Sequence, residues 1–229
     1  MRYREDPVRM LRAVRFSAIL DFKMNKDVVQ PISTMAYLLD QVAPARLLDE
    51  FIKLFHNGHS VAVFKLLFKY RLFDRLFPLT GKILQQELHG GPYLKFIEGL
   101  LNNTDERVKR GDPVIPAFIM AGFLWLPVVA DCRRKAGSHD PENLERASNH
   151  VFEKQSHRVA LPARLVHIMK KIFFMQEQLK TERHHVSRRL MSERYFRAAY
   201  DFMCLRVVAG LEDEVVREHW TEVQAKLVR

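Results

Sequence analysis

Throughout this chain apolar residues return every three to four positions, and the alternation that marks a half-buried strand is almost absent. That period is one face of an α-helix, so the chain is committed to packing helices against each other. The stretch after Ser60 is typical: Val61, Phe64, Leu67 and Phe68 form a stripe, and Lys65 and Lys69 fall outside it. With 48% apolar residues in 229, there is ample material for a core, and general disorder is excluded. The expected fold class is all-α.

Turn and cap residues cut the pattern into segments. They predict helices over about 7–20, 27–39 (kinked or broken at Pro31), 44–57 and 60–72, with Ser60 capping the last. A looser stretch containing His89-Gly90-Gly91-Pro92 follows. Further helices are expected over 93–101, over a short basic segment capped by Asn102-Asn103-Thr104-Asp105, and over 116–129. Four more, at 141–156, 162–180, 193–210 and 212–228, complete the chain. The apolar run 115–130 is interrupted by Pro116 and Pro127, and reads as a buried core helix, not a membrane span. No signal peptide is visible at the start.

The opening residues carry the strongest local chemistry. Asp6-Pro7 is a helix start: the carboxylate can accept an orphan first-turn N–H, and proline fits where no N–H is needed. Behind it Arg9, Arg12 and Arg15 recur every three residues, opposite Met10, Leu11, Val14 and Ala18. This guanidinium comb has no acidic i+4 partners after Asp6. It therefore pairs with carboxylates elsewhere in the fold, or meets a nucleotide or phosphate.

Glu5-Asp6-x-x-Arg9-x-x-Arg12 resembles the neck motif of the class II nucleotidyltransferases, the family of tRNA CCA-adding enzymes and bacterial poly(A) polymerases. Val42-Ala43-Pro44-Ala45-Arg46-Leu47-Leu48-Asp49-Glu50-Phe51 looks like the next neck motif, read structurally as an Arg46–Glu50 i,i+4 pair. Leu72-Phe73-Asp74-Arg75-Leu76-Phe77-Pro78 and Phe196-Arg197-Ala198-Ala199-Tyr200-Asp201 look more like the poly(A) polymerase branch. The resemblance implies an elongated helical neck over residues 1–80 and a basic helical body over 81–229. It also implies a nucleotide site in which Asp6 and Arg9 read the base edge, Glu5 orients Arg9, and Arg12 braces. An acceptor-only carboxylate beside a donor-only guanidinium suits an adenine edge.

That family's catalytic head carries a Gly-Ser turn and paired aspartates holding two magnesium ions. Here there is no Asp-x-Asp, and the one Gly-Ser, Gly137-Ser138, sits in a polar loop. No catalytic residue and no metal ligand is assigned; ATP is expected as substrate, and Mg²⁺ only with the head. The expected function is thus the neck and body of a polymerase adding AMP from ATP to RNA 3′ ends. A tRNA CCA-adding portion and a stand-alone helical RNA-binding module are the alternatives.

Charge agrees with RNA as partner. The chain carries 37 Lys and Arg against 27 Asp and Glu, a net charge of +10. Residues 164–197 hold nine basic side chains against three acidic ones, the footprint of a polyanion ligand. Arg164, Lys170, Lys171, Arg188 and Arg189 are the candidate RNA contacts; Tyr195, Tyr200 and Trp220 are the aromatics best placed to stack on bases, with core packing the alternative, and the favoured one, for each. Cys132 and Cys204 show neither metal nor disulfide spacing, which suits a reducing cytoplasm. His56/His59, His184-His185 and the His139-Asp140 doublet lack the further ligands a metal would need.

Overall fold

Punctuation by proline and glycine sorts the chain into helices from end to end. The computed structural model describes residues 2–87, 90–136, 141–181 and 187–227, with backbone alone for 134–136, 181, 187, 188 and 227. The helices are α1 (Arg2–Glu5), α2 (Val8–Ile19), α3 (Lys26–Met35), a 3-10 helix (Ala36–Gln41), α4 (Pro44–Phe55), α5 (Ser60–Lys69), α6 (Phe73–Leu76) and α7 (Pro78–Gln86). They continue with α8 (Pro92–Lys109), α9 (Pro116–Ala136), α10 (Pro141–Ser156), α11 (Ala163–Thr181), α12 (Ser187–Met191), α13 (Phe196–Val208) and α14 (Glu214–Leu227). No strand occurs among the described residues, so the fold is all-α. Gly137-Ser138, His139-Asp140 and His184-His185 lie outside the described residues.

Helix α9 is the centre of packing and lies against α7, α8, α10 and α11. It is long and apolar enough to cross a membrane, yet 78% of its most apolar window, Pro116–Arg133, is buried in the protein. The expected core helix is therefore present, and it runs on past Pro127 to Ala136 instead of stopping near 129. Proline at 127 has no N–H for the carbonyl of Phe123 four residues back. The buried Thr80 hydroxyl donates to that carbonyl at 2.6 Å instead, from α7. Replacing Thr80 with Val keeps the shape but orphans the Phe123 carbonyl, and urea unfolding should show a loss of about 1–3 kcal/mol.

The cap signals act across the fold more than along the chain. Asn102-Asn103-Thr104-Asp105 does not start a helix; it lies inside α8, which is continuous from Pro92 to Lys109. There the Thr104 hydroxyl donates to the Leu100 carbonyl, and the Asp105 carboxylate accepts the Ser60 and Val61 N–H groups at 2.7 and 3.1 Å. So α5 is capped by a residue 45 positions away, and Ser60, the expected cap, sends its hydroxyl to the Leu101 carbonyl. Likewise Glu87 accepts the Tyr93 and Leu94 N–H groups that begin α8. A Cβ on Gly91 would lie 2.3 Å from the Glu87 side chain, so this cap requires glycine there. Helix α3 runs through Pro31 without a break and hands over at Ala36 to the 3-10 helix.

One apolar core runs from Val8 to Ala209, and a smaller one joins Met175, Leu179, Leu190, Phe196, Met203 and Trp220. Phe123 stands in the middle of the first, with the rings of Phe51, Phe55, Phe64, Phe73 and Phe77 centred 4.9 to 6.3 Å away. Polar ties cross between the early and late helices too. Asp40 accepts from Arg75 at 3.1 Å and from Arg158 at 2.9 Å, and the Gln155 amide donates to the Leu76 carbonyl.

Candidate nucleic-acid interface

The first element of the site is the pairing of α2 with α4. Asp6 behaves as its sequence position demands: its Oδ1 accepts the Val8 N–H at 3.3 Å, and α2 begins just after Pro7. The same Oδ1 accepts from Arg46 Nη2 at 2.8 Å. Arg12 places its fork on Glu50 Oε1, with Nη2 at 3.1 Å and Nε at 3.4 Å, and Lys53 reaches the same oxygen at 3.2 Å. Arg46 and Glu50 therefore do not pair with each other. Being four residues apart they share one face of α4, and that face lies against α2. There Asp6 and Arg12 present the opposite charges in matching order.

This arrangement divides the arginine comb. Arg12 is anchored: Glu50 is 2% exposed and neutralised from two sides, as a buried carboxylate must be. Arg9 keeps an exposed guanidinium whose one ion pair among the described residues is a long 3.9 Å approach of Nε to Asp6 Oδ2. Glu5 is exposed at the end of α1, and the carboxylate beside Arg9 is that of Asp6. Arg15 lies over the exposed ring of Phe16, 5.0 Å from its centre. The Asp6–Arg9 edge thus offers one carboxylate oxygen remote from Arg46 and a guanidinium with donors to spare.

The second element is the basic surface of the later helices. Arg164, His167 and Lys171 are exposed along α11, and their spacing sets them on one face. Lys170 instead pairs with Glu145 of α10 at 3.3 Å. Arg189 is exposed on α12; Arg188 lies on the same helix, with its side chain outside the described residues. Of the three aromatics, Trp220 is fully buried and donates its indole N–H to the Leu179 carbonyl, which makes it core. Tyr200 shares a hydrogen bond with Thr221 at 3.0 Å. Tyr195 lines a cavity that also holds Arg107, Arg194 and Arg197. Sequence reasoning did not single out Arg107 and Arg194, because their convergence joins α8 to the turn before α13. Another arginine of this half, Arg206, is buried against Glu212 at 2.6 Å and over the Trp125 ring at 4.8 Å, and serves the core.

Among the described residues, no three His, Cys, Asp or Glu side chains gather as metal ligands.

Comparison with known proteins gives this geometry a context. Residues 21–84 match a family model described as "Probable RNA and SrmB- binding site of polymerase A", and residues 136–227 match "Polymerase A arginine-rich C-terminus". Poly(A) polymerase I of Escherichia coli O6:H1 is 35% identical over 97% of this chain and 49% of its own length. The Haemophilus influenzae protein of the same name is 35% identical over 97% of the chain and 50% of its own length. A Bacillus cereus CCA-adding enzyme is 36% identical over 33% of the chain and 19% of its own length. The chain spans about half the length of the curated poly(A) polymerases it matches.

Proposed function

This chain is homologous to bacterial poly(A) polymerase I over almost its whole length, and on that premise we propose that it is the base-reading and RNA-holding part of a template-independent polymerase. The complete enzyme adds AMP from ATP to RNA 3′ ends. The observation that carries this reading is the extent of the match: 97% of the chain aligns with poly(A) polymerase I, against 33% with a CCA-adding enzyme.

In this reading Asp6 and Arg9 hydrogen-bond the adenine edge, using the free Asp6 oxygen as acceptor and the Arg9 fork as donor. Arg12 holds α2 on α4 through Glu50, so that the reading edge keeps its place. Arg46 fixes Asp6, and Asp6 is also the carboxylate beside Arg9. RNA lies against the exposed basic side chains of Arg164 and Lys171 on α11 and Arg189 on α12, held by phosphate contacts that are not sequence-specific. ATP is the substrate, and Mg²⁺ with its carboxylates comes from the remainder of the enzyme. A cytoplasmic location fits two free cysteines and an RNA substrate.

Two measurements test this. The purified chain with ATP, Mg²⁺ and a labelled RNA oligonucleotide should bind the RNA and leave its 3′ end unextended. Extension in a preparation free of host polymerase would mean that this chain carries its own catalytic carboxylates. In the complete enzyme, Arg9→Ala should lower the preference for ATP over CTP about tenfold or more, the discrimination of one bidentate base contact. RNA affinity should stay nearly constant. An unchanged nucleotide preference would remove Arg9 from the base site, and incorporation of CTP as well as ATP onto tRNA would move the chain to the CCA-adding branch.

A further inference from the structure

The cavity lined by Tyr195 is enclosed by the second half of α8, the segment leading into α9 and the start of α13, and has a volume of about 320 Å³. Three guanidinium groups from two distant parts of the chain line it, against one carboxylate, Asp201. Arg197 Nε already donates to Asp201 Oδ1 at 3.1 Å. Arg107 uses Nη2 on the Pro113 carbonyl at 3.3 Å, which leaves its other donors available. Arg194 lies over the Tyr195 ring, 5.5 Å from its centre. The lining therefore carries two positive charges in excess. Gathering like charges around one cavity opposes folding, and an anion seated between them relieves the repulsion.

Most of the remaining wall is apolar, with Val114, Ile115 and Phe118 in the same lining as the half-buried Tyr195, and Asn103 and Thr104 add polar groups. A bare phosphate or an acidic side chain has no use for such a wall, whereas a nucleotide offers a base for it. The volume lies at the lower end of the range for small-molecule sites, about 300–1,000 Å³, and suits one nucleotide. The surroundings supply the path for a chain. The Tyr195 ring meets that of His167 at 6.4 Å, and His167 shares the exposed face of α11 with Arg164 and Lys171.

Taking RNA as the ligand proposed above, we propose that this cavity is a subsite for one unpaired ribonucleotide of the bound RNA. Arg107 and Arg194 hold its phosphate, and the Tyr195 ring carries its base. Arg197 stays on Asp201 and keeps that carboxylate from repelling the phosphate.

The test uses fluorescence anisotropy of labelled oligo(A) titrated with this chain at several salt concentrations, with AMP as a second probe. Arg107→Gln and Arg194→Gln should each lower the salt slope by about 0.7, one phosphate contact on a single strand. Tyr195→Leu keeps apolar bulk and loses the aromatic face, so affinity should fall about tenfold with the slope unchanged. Arg194 is exposed, so Arg194→Gln decides the matter even where Tyr195→Leu disturbs the packing around it. If the unsubstituted chain binds no oligo(A), the RNA reading falls and takes the subsite with it. If it binds and all three variants keep its affinity and slope, the RNA reading stands and the subsite is overturned. Loss of AMP binding in the variants with oligo(A) affinity intact would make the cavity a free-mononucleotide site and overturn the assignment too.

Discussion

Phe123→Ala should lower stability by about 3–5 kcal/mol, the range for removing a large aromatic side chain from a packed core. Urea denaturation would read this as a fall in midpoint at nearly constant slope. The size of the effect follows from where the ring sits. Phe123 is fully buried on α9, edge-on to Phe55, Phe73 and Phe77 and within contact range of Phe51 and Phe64. Those partners come from α4, α5, α6 and the turn before α7. Deleting the ring therefore opens a cavity between the early helices and α9. The void cannot close easily, because its walls belong to several rigid elements at once. Phe123→Leu refills most of the space and should recover much of the loss. A change below about 1 kcal/mol for Phe123→Ala would mean that the surrounding helices collapse into the void, and that the early helices do not depend on α9.

Arg206→Ala should be as damaging, by about 3–5 kcal/mol, for an electrostatic reason. The Arg206 side chain is 5% exposed, donating to Gln176 at 3.0 Å and pairing with Glu212. Lys180 also reaches Glu212, at 2.9 Å. Through Gln176, which in turn donates to the Ala199 carbonyl, the network locks α11 to α13, and through Glu212 to the turn before α14. Removing the guanidinium leaves the Glu212 carboxylate in a poorly solvated place with Lys180 alone. The double change Arg206→Met with Glu212→Gln removes both charges and should be milder than Arg206→Ala. A strictly additive double variant would show that the two do not act as a pair.

The pair also has a pH signature. Burial pushes the Glu212 carboxyl up, but Arg206 and Lys180 more than offset it and hold the group below its ordinary value. A carboxyl depressed in the folded state binds its proton less readily there than when unfolded. Its contribution is therefore complete above the unfolded value of about 4.3, and is lost as pH falls through the lower folded value. Thermal midpoints of the unsubstituted chain and of Arg206→Met should accordingly converge as pH is lowered below about 4. A constant gap down to the acid limit would separate Glu212 from the stabilising network.

Both networks show where sequence reading ends. The helices themselves are local facts, legible because a 3.6-residue period and Asp-Pro or Gly-Asp-Pro punctuation act over a few residues. The nearness of Asp6 and Arg9 was legible for the same reason, since Asp6 caps the helix on which Arg9 stands in the first turn. The pairings were not. Arg46 and Glu50 read as partners because they stand four apart, yet each has its charge taken by α2, forty and thirty-eight residues away. Asn102-Asn103-Thr104-Asp105 reads as a helix start, yet its carboxylate caps α5. A side chain's local neighbours are known from its position, but the face it presents belongs to whichever helix packs there.

By itself the sequence determined that this protein is all helical, that a carboxylate and an arginine comb stand at the start of its opening helix, and that the chain is strongly basic. Only the tertiary structure decided which charges remain available. It turned Arg12, Lys170 and Arg206 inward or onto carboxylates, and it brought Arg107 and Arg194 together around Tyr195. The reason is range. Helical periodicity and capping act within one or two turns, whereas ion pairing and burial follow distance in space, which the packing of α9 against its neighbours sets.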